Sequence, residues 1–111
     1  MDLAAHQQGA DLVVAVNEAR VDAAVAVQFK DAMREQIAQD HPRVVLDMTE
    51  VGFLDSSGLG AVVAVMKLMG PGRRLDLAGL SPTVDKVFRL TRMDKVFRIY
   101  PDVPAAVADA V

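Results

Sequence analysis

Apolar positions change their spacing several times along this chain, and each change marks an element. Leu12–Val16 and Val44–Met48 are unbroken apolar runs of β-type residues, the pattern of strands covered on both faces. Between them Val25, Phe29, Met33 and Ile37 recur at every fourth position, with Lys30, Asp31, Arg34 and Glu35 on the other side. That spacing predicts an amphipathic helix over Ala23–Gln39 with Asp22 as its cap, ended at His41-Pro42 because the residue before proline avoids helical angles. A second helix, Ser57–Met69, carries two stripes, Leu59/Val62/Val63/Met66 and Ala61/Val65/Leu68/Met69, and stops at Gly70-Pro71-Gly72. Ser81-Pro82 is a helix start with serine as cap and proline in the first turn, and it turns Val84, Val87, Phe88 and Thr91 inward. Leu75–Ala78 and Val96–Tyr100 read as strands, residues 1–10 as a weak edge strand, and Asp102 and Pro104 open an Ala/Val-rich helix running to the C-terminus. Strands alternating with helices imply an α/β fold with parallel pairing through helical crossovers.

Composition narrows the function more than the fold. The 111 residues suit one domain, residues 1–111, and with 52% apolar residues but few aromatics the core falls to Ala, Val, Leu and Met. A net charge of −3 gives no reason to expect direct nucleic-acid binding. Lys86, Arg89, Arg92, Lys95 and Arg98 are basic without interleaved aromatics, as in a solvated face. With no cysteine there is no disulfide framework, thiolate metal site or thiol nucleophile, which fits a cytoplasmic location. The N-terminus lacks a signal-peptide layout, and Leu59–Met69 is too short to insert across a bilayer. Catalytic inventories are also wanting. His6 and His41 sit in no chemical motif, the Gly-x-Ser-x-Gly elbow is absent at Ser56 and Ser57, and no phosphate loop or spaced metal-ligand cluster occurs. The expectation is a protein with no catalytic residues, metal or cofactor.

The unusual stretch is Val51–Gly70, where Asp55, Ser56, Ser57, Gly58 and Gly60 crowd a helix start. Read alone, Ser56 is a helix cap, and Asp55 bonds backbone amides of the turn. Two glycines in one helical turn are costly, which favours close approach of another backbone near Ser56 over mere relief of crowding. A helix apolar nearly all round is either buried or half covered by a partner, and in a domain this small burial on every side is hard to arrange. Val65, Leu68 and Met69 read most simply as core, or else as an interaction patch open to a partner or a homodimer.

The block Phe53–Gly60, FLDSSGLG, preceded by VVLDMTEV at Val44–Val51, resembles the signature of STAS domains of the anti-sigma-factor antagonist type. LSPTVDKVFRL at Leu80–Leu90, MDKVFRIY at Met93–Tyr100 and the Val21-Asp22 pair agree, spreading the match over roughly residues 10–110. The resemblance implies a mixed sheet of four or five strands with about four helices around it. It implies that Ser56, the first serine after the aspartate, matches the family's phosphorylated residue. By the same likeness, Asp22, Asp55, Ser56, Ser57, Gly58, Leu59 and Gly60 form the partner surface, with Ser57 more structural. The implied partners are an anti-sigma factor that is also an ATP-dependent serine kinase, and a serine phosphatase that resets the switch; ATP belongs to the kinase. The same fold also serves as a fixed subunit docked on membrane transport ATPases, where the serine is a contact rather than a switch. This chain departs from the family at Ala19-Arg20, where a Gly-Glu pair is usual, and at Arg92, often glycine. A left-handed arginine costs roughly 1 kcal/mol relative to glycine, so the turn at Arg92 is expected to differ locally.

Overall fold

A computed structural model describes residues 1–109 of the chain. A hairpin opens it: β1 (Leu3–Gln8) runs antiparallel to β2 (Asp11–Val16) across a tight turn at Gly9-Ala10. After β2 come the two-residue strand β3 (Arg20–Val21), helix α1 (Ala26–Ile37), strand β4 (Arg43–Asp47) and the two-residue β5 (Phe53–Leu54). Helix α2 (Ser56–Met69), β6 (Arg74–Ala78), α3 (Pro82–Leu90), β7 (Ile99–Tyr100) and α4 (Val103–Ala108) complete the order. The main sheet has five strands in the order β1-β2-β4-β6-β7, parallel except for the β1 edge. This mixed sheet with four α-helices is the architecture expected from the sequence.

Each central strand divides its residues between two layers, as its unbroken apolar run requires. Leu12, Val14 and Val16 of β2, Val44 and Leu46 of β4, and Leu75 and Leu77 of β6 join the larger core with Phe29, Met33 and Ile37 of α1, Val62 and Val65 of α2, and Val84 and Phe88 of α3. On the opposite face Val13, Val45 and Ala78 meet Ala106 of α4.

Several expectations are corrected in detail. The first helix begins at Ala26, and its N-cap, Val25, makes no side-chain cap bond. Asp22 does not cap it. Its Oδ1 accepts the Ala24 N–H at 3.1 Å while its carbonyl accepts the Val25 N–H, so these residues close a separate turn ahead of the helix. Thr91 is exposed and returns its hydroxyl to the Val87 carbonyl at 2.7 Å. Arg92 adopts the left-handed conformation at φ 61°, ψ 19°, so the turn keeps the shape a glycine gives, and its arginine bears the strain. Its amide donates to the Arg89 carbonyl at 3.1 Å and its carbonyl accepts from Lys95 at 3.2 Å, starting a 3-10 turn over Met93–Lys95. That turn closes on Val96 and Phe97, whose amides both donate to the Met93 carbonyl at 3.0 Å, so of the strand expected over Val96–Tyr100 only β7, Ile99–Tyr100, forms, while Phe97 packs edge-on against Phe88. Helix α4 ends at Ala108; the last two residues of the run expected to reach the C-terminus lie outside the described residues.

The N-terminal ends of β2, β4 and β6 are tied by a buried ion network that periodicity does not reveal. Arg43 donates to Asp11 at 2.9 Å, to fully buried Asp76 at 3.2 Å and to the Ala106 carbonyl at 2.9 Å. Arg74 adds a two-point contact to Asp76 at 2.9 and 2.8 Å. Burial works against the charge on Arg43, yet its two carboxylates hold its pKa above the usual arginine value. Asp76 does the same for Arg74.

Candidate functional site

The candidate site lies where the chain leaves β4, at the carboxyl end of the parallel strands. A short second sheet forms there: β3 pairs in parallel with β5, with Arg20 opposite Phe53 and Val21 opposite Leu54. The Ala19 carbonyl accepts from the amides of Gly52 and Phe53 at 2.9 and 3.2 Å, which locks the β4–β5 connection against the end of β2. Leu54 and Val21 point into the core, and the chain then turns abruptly into α2.

Asp55 makes that turn. It is extended at φ −101°, ψ −172°, and its Oδ1 accepts the Gly58 N–H at 2.9 Å, filling one of the orphan amides of the first helical turn. Its Oδ2 accepts the Ala23 N–H at 3.2 Å, tying the α2 start to the turn that follows β3. Asp55 is therefore the cap, and α2 begins at Ser56, one residue earlier than the sequence suggests. Ser56 and Ser57 are both exposed, and neither hydroxyl forms a hydrogen bond among the described residues. A helix start presents positive partial charge, so an anion attached at Ser56 meets a favourable internal field.

The two glycines play different parts. Gly58 is buried beneath the Val21 carbonyl, and a Cβ there would lie 2.0 Å from that oxygen. The close approach expected from the glycine pair thus comes, at Gly58, from the chain's own β3. Above Gly60 there is open space, and no packing in the molecule requires its lack of a side chain. Gly60, Ser57, Ala61 and Ala64 line one wall of a shallow groove whose other wall is Ala26, Val27 and Lys30 of α1. Val27 is 67% exposed beside it. Within the second stripe of α2, Val65 and Met69 are core, whereas Leu68 is 46% exposed; Leu59 is half-buried.

One feature of this surface is absent from the residues singled out by sequence. The guanidinium of Arg20 stacks over the exposed ring of Phe53 at 4.2 Å and donates to Asp22 at 3.3 Å. The structure thus gathers Asp22, Asp55, Ser56, Ser57 and Gly58 about one turn, with Leu59 and Gly60 following on α2, and adds an arginine–aromatic platform at its edge. The signal for the stack was the pair of departures at Ala19-Arg20 together with an aromatic residue inside the serine octet, but only the β3–β5 register brings them opposite each other. The basic residues of α3 and the following turn behave as a solvated face: Arg89 pairs with Asp85 at 2.7 Å and with Asp94 at 3.7 Å. Among the described residues no group of His, Asp or Glu is arranged to hold a metal, and no helix is long and apolar enough to cross a membrane.

Comparison with known proteins agrees with this fold. The family model described as the STAS domain matches residues 2–106. A STAS-domain containing protein of Pseudomonas aeruginosa is 29% identical over 92 residues, covering 82% of this chain and 89% of the relative. An anti-sigma-B factor antagonist of Listeria monocytogenes is 30% identical over 80 residues, covering 71% of this chain and 70% of the relative. Among solved structures, an anti-sigma factor antagonist from Mycobacterium paratuberculosis superposes with a TM-score of 0.85 at 26% identity, covering 97% of this chain and 94% of the other.

Proposed function

The chain belongs to the STAS domain family, and from that premise we propose that it is an anti-sigma-factor antagonist, a non-enzymatic protein whose grip on its partner is switched at Ser56. Unphosphorylated, it binds an anti-sigma factor and frees a sigma factor. That partner is itself a serine kinase. It transfers the terminal phosphoryl group of ATP to the Ser56 oxygen, the hydroxyl proton leaves to solvent through the kinase, and ADP departs. A serine phosphatase restores the hydroxyl by hydrolysis, releasing inorganic phosphate.

The observation that carries this reading is the state of Ser56: exposed, in the first turn of a capped helix, with its hydroxyl unengaged among the described residues. Phosphate adds about −1.5 to −2 charges. Within the molecule the helix start accommodates that charge, and Asp55 already satisfies the cap, so the fold survives modification. Against a bound partner the same charge must be desolvated, and like-charge juxtaposition costs several kcal/mol. Roughly 4 kcal/mol weakens binding about a thousandfold, enough for a switch. Asp22, Asp55, Ser57, Leu59 and Gly60 make up the contact surface around Ser56. Gly58 serves it from below by letting β3 approach α2. The open space above Gly60 supports the same reading, since a glycine that helical packing does not need admits a partner backbone. The names of the Listeria and Mycobacterium relatives support the class of partner.

The test uses wild-type, Ser56→Ala and Ser56→Asp proteins immobilised in extract of the native cell. Wild type and Ser56→Ala retain a protein with a kinase fold, identified by mass spectrometry; Ser56→Asp does not. Adding ATP releases the partner from wild type only and leaves a mass increase of one phosphate on Ser56. Equal retention by Ser56→Asp and Ser56→Ala overturns the switch.

A further inference from the structure

The two edges of the main sheet are treated differently. The β7 edge is two residues long and is followed at once by Pro101, a residue that cannot donate to a further strand. The β1 edge is six residues long, reads LAAHQQ and contains no Lys, Arg, Asp, Glu or Pro, in a chain with 24% charged residues. Of its side chains only Leu3 is half-buried; the others are exposed. Natural sheets blunt their edges with charge, proline or brevity, and β1 uses none of these.

The ladder fixes which backbone groups are free. Residues of an antiparallel pair alternate between those that exchange hydrogen bonds with the partner strand and those that point away. The Asn17 amide donates to the Asp2 carbonyl at 2.9 Å, and in the same register Ala4 faces Ala15, His6 faces Val13 and Gln8 faces Asp11. Even-numbered residues therefore bond to β2, and the amides and carbonyls of Leu3, Ala5 and Gln7 point outward from the sheet.

We propose that this edge pairs with the same edge of a second copy, antiparallel about a two-fold axis through Ala5. Leu3 then exchanges backbone bonds with Gln7 of the other copy, Ala5 with Ala5, and Gln7 with Leu3, so every outward group of the strand is used. A two-fold axis sets each charge against a fixed mate, and this strand meets that condition: Asp2 falls opposite Gln8, and no like charges face each other. The methyl groups of Ala4 and Ala5 leave the backbones free to close to ordinary strand spacing. The contact joins two five-stranded sheets into one. The strand offers six residues, far fewer than the roughly 20–30 a side of stable interfaces, so the dimer is transient and fills at high concentration.

The test needs only the protein itself. Because the chain has no cysteine, Ala5→Cys carries a single thiol, and in the proposed register the two Cα atoms lie about 5.5 Å apart. A short bismaleimide links Ala5→Cys copies at millimolar protein many times faster than Val27→Cys copies, whose thiol sits on exposed α1. Sedimentation of wild type shows its mass rising towards double with concentration. Ala5→Lys sets two charges on the axis and stays monomeric, as does Ala5→Pro, which removes an outward amide without touching the β1–β2 ladder; circular dichroism checks that each is folded. Equal linking rates, a wild type that stays monomeric at millimolar concentration, or a folded Ala5→Lys that still dimerises overturns the proposal. None of these outcomes depends on Ser56, so the test stands apart from that of the switch.

Discussion

Gly58 lies directly under the carbonyl of Val21, where a Cβ would sit 2.0 Å from the oxygen and 2.9 Å from the carbonyl carbon. Neither atom is the end of a flexible side chain, so the clash cannot be relieved by a rotamer change. Gly58→Ala must push β3 away from α2, and with it the Asp55–Ala23 bond that shapes the serine turn. The expected loss is about 1–3 kcal/mol, the range for overpacking, read as a lower denaturation midpoint. Gly60→Ala, which meets nothing within 4 Å, should leave the fold as stable or gain up to about 1 kcal/mol from helix propensity.

Ser56→Asp and Ser56→Ala should separate stability from binding. An acid in the first turn of α2 interacts favourably with the helix start by about 0.3–1 kcal/mol, so thermal denaturation should find Ser56→Asp at least as stable as Ser56→Ala. A Ser56→Asp protein that melts well below Ser56→Ala would mean that the site does not accept negative charge.

Asp76 is fully buried and is held by both Arg43 and Arg74. Asp76→Ala leaves half-buried Arg74 without this partner and buried Arg43 with only Asp11 and the Ala106 carbonyl. Breaking a buried pair from one side costs about 3–5 kcal/mol, so urea denaturation of Asp76→Ala should show a loss of that size. A loss below about 1 kcal/mol would show that the arginines escape to solvent.

Arg92 occupies the left-handed region at φ 61° and is exposed. Arg92→Gly should stabilise the protein by about 1 kcal/mol, because glycine adopts this conformation without the clash of a Cβ. The comparison is a denaturant midpoint at constant slope; an unchanged or lowered midpoint refutes the assignment of strain to this residue.

Tyr100 is the chain's one tyrosine, and tryptophan is absent, so phenolate absorbance reports it cleanly. Burial first, and then its bond to Asp109, raises its pKa; Arg98 pulls the other way. The titration midpoint in the folded protein should exceed the ordinary phenol value of about 10. Because folding favours the neutral phenol, this contribution to stability is complete below the unfolded value and is lost as pH rises through the folded one. Tyr100→Phe should therefore flatten the alkaline fall in melting temperature.

The sequence made the long elements legible because their burial repeats along the chain. Val44, Val45 and Leu46 are apolar without alternation and sit under helices on both faces, while Phe29, Met33 and Ile37 recur at helical spacing and line one seam. The serine octet likewise located the candidate site, since a capping aspartate and a helix start are local features. What escaped was set by residues distant in the chain. Strands of two residues have no period to read, so β3 and β5 were invisible until paired. Arg43 looks like a surface residue in its own segment and becomes a buried tie only when Asp11 and Asp76 converge on it. At Arg92 propensity pointed the wrong way: the amide and carbonyl bonds on either side hold the turn, and the residue accepts the strain.

The little β3–β5 ladder stands apart from the five strands of the main sheet and carries Ser56 on its far end. It behaves as a bracket bolted to the wall of the molecule. Its inward residues, Val21 and Leu54, are anchored in the same core as the broad sheet, while Arg20 and Phe53 stay outside it. Under the proposed switch, a phosphate gained or lost at Ser56 would alter the charge on the outer side of this bracket and leave its anchored side in place.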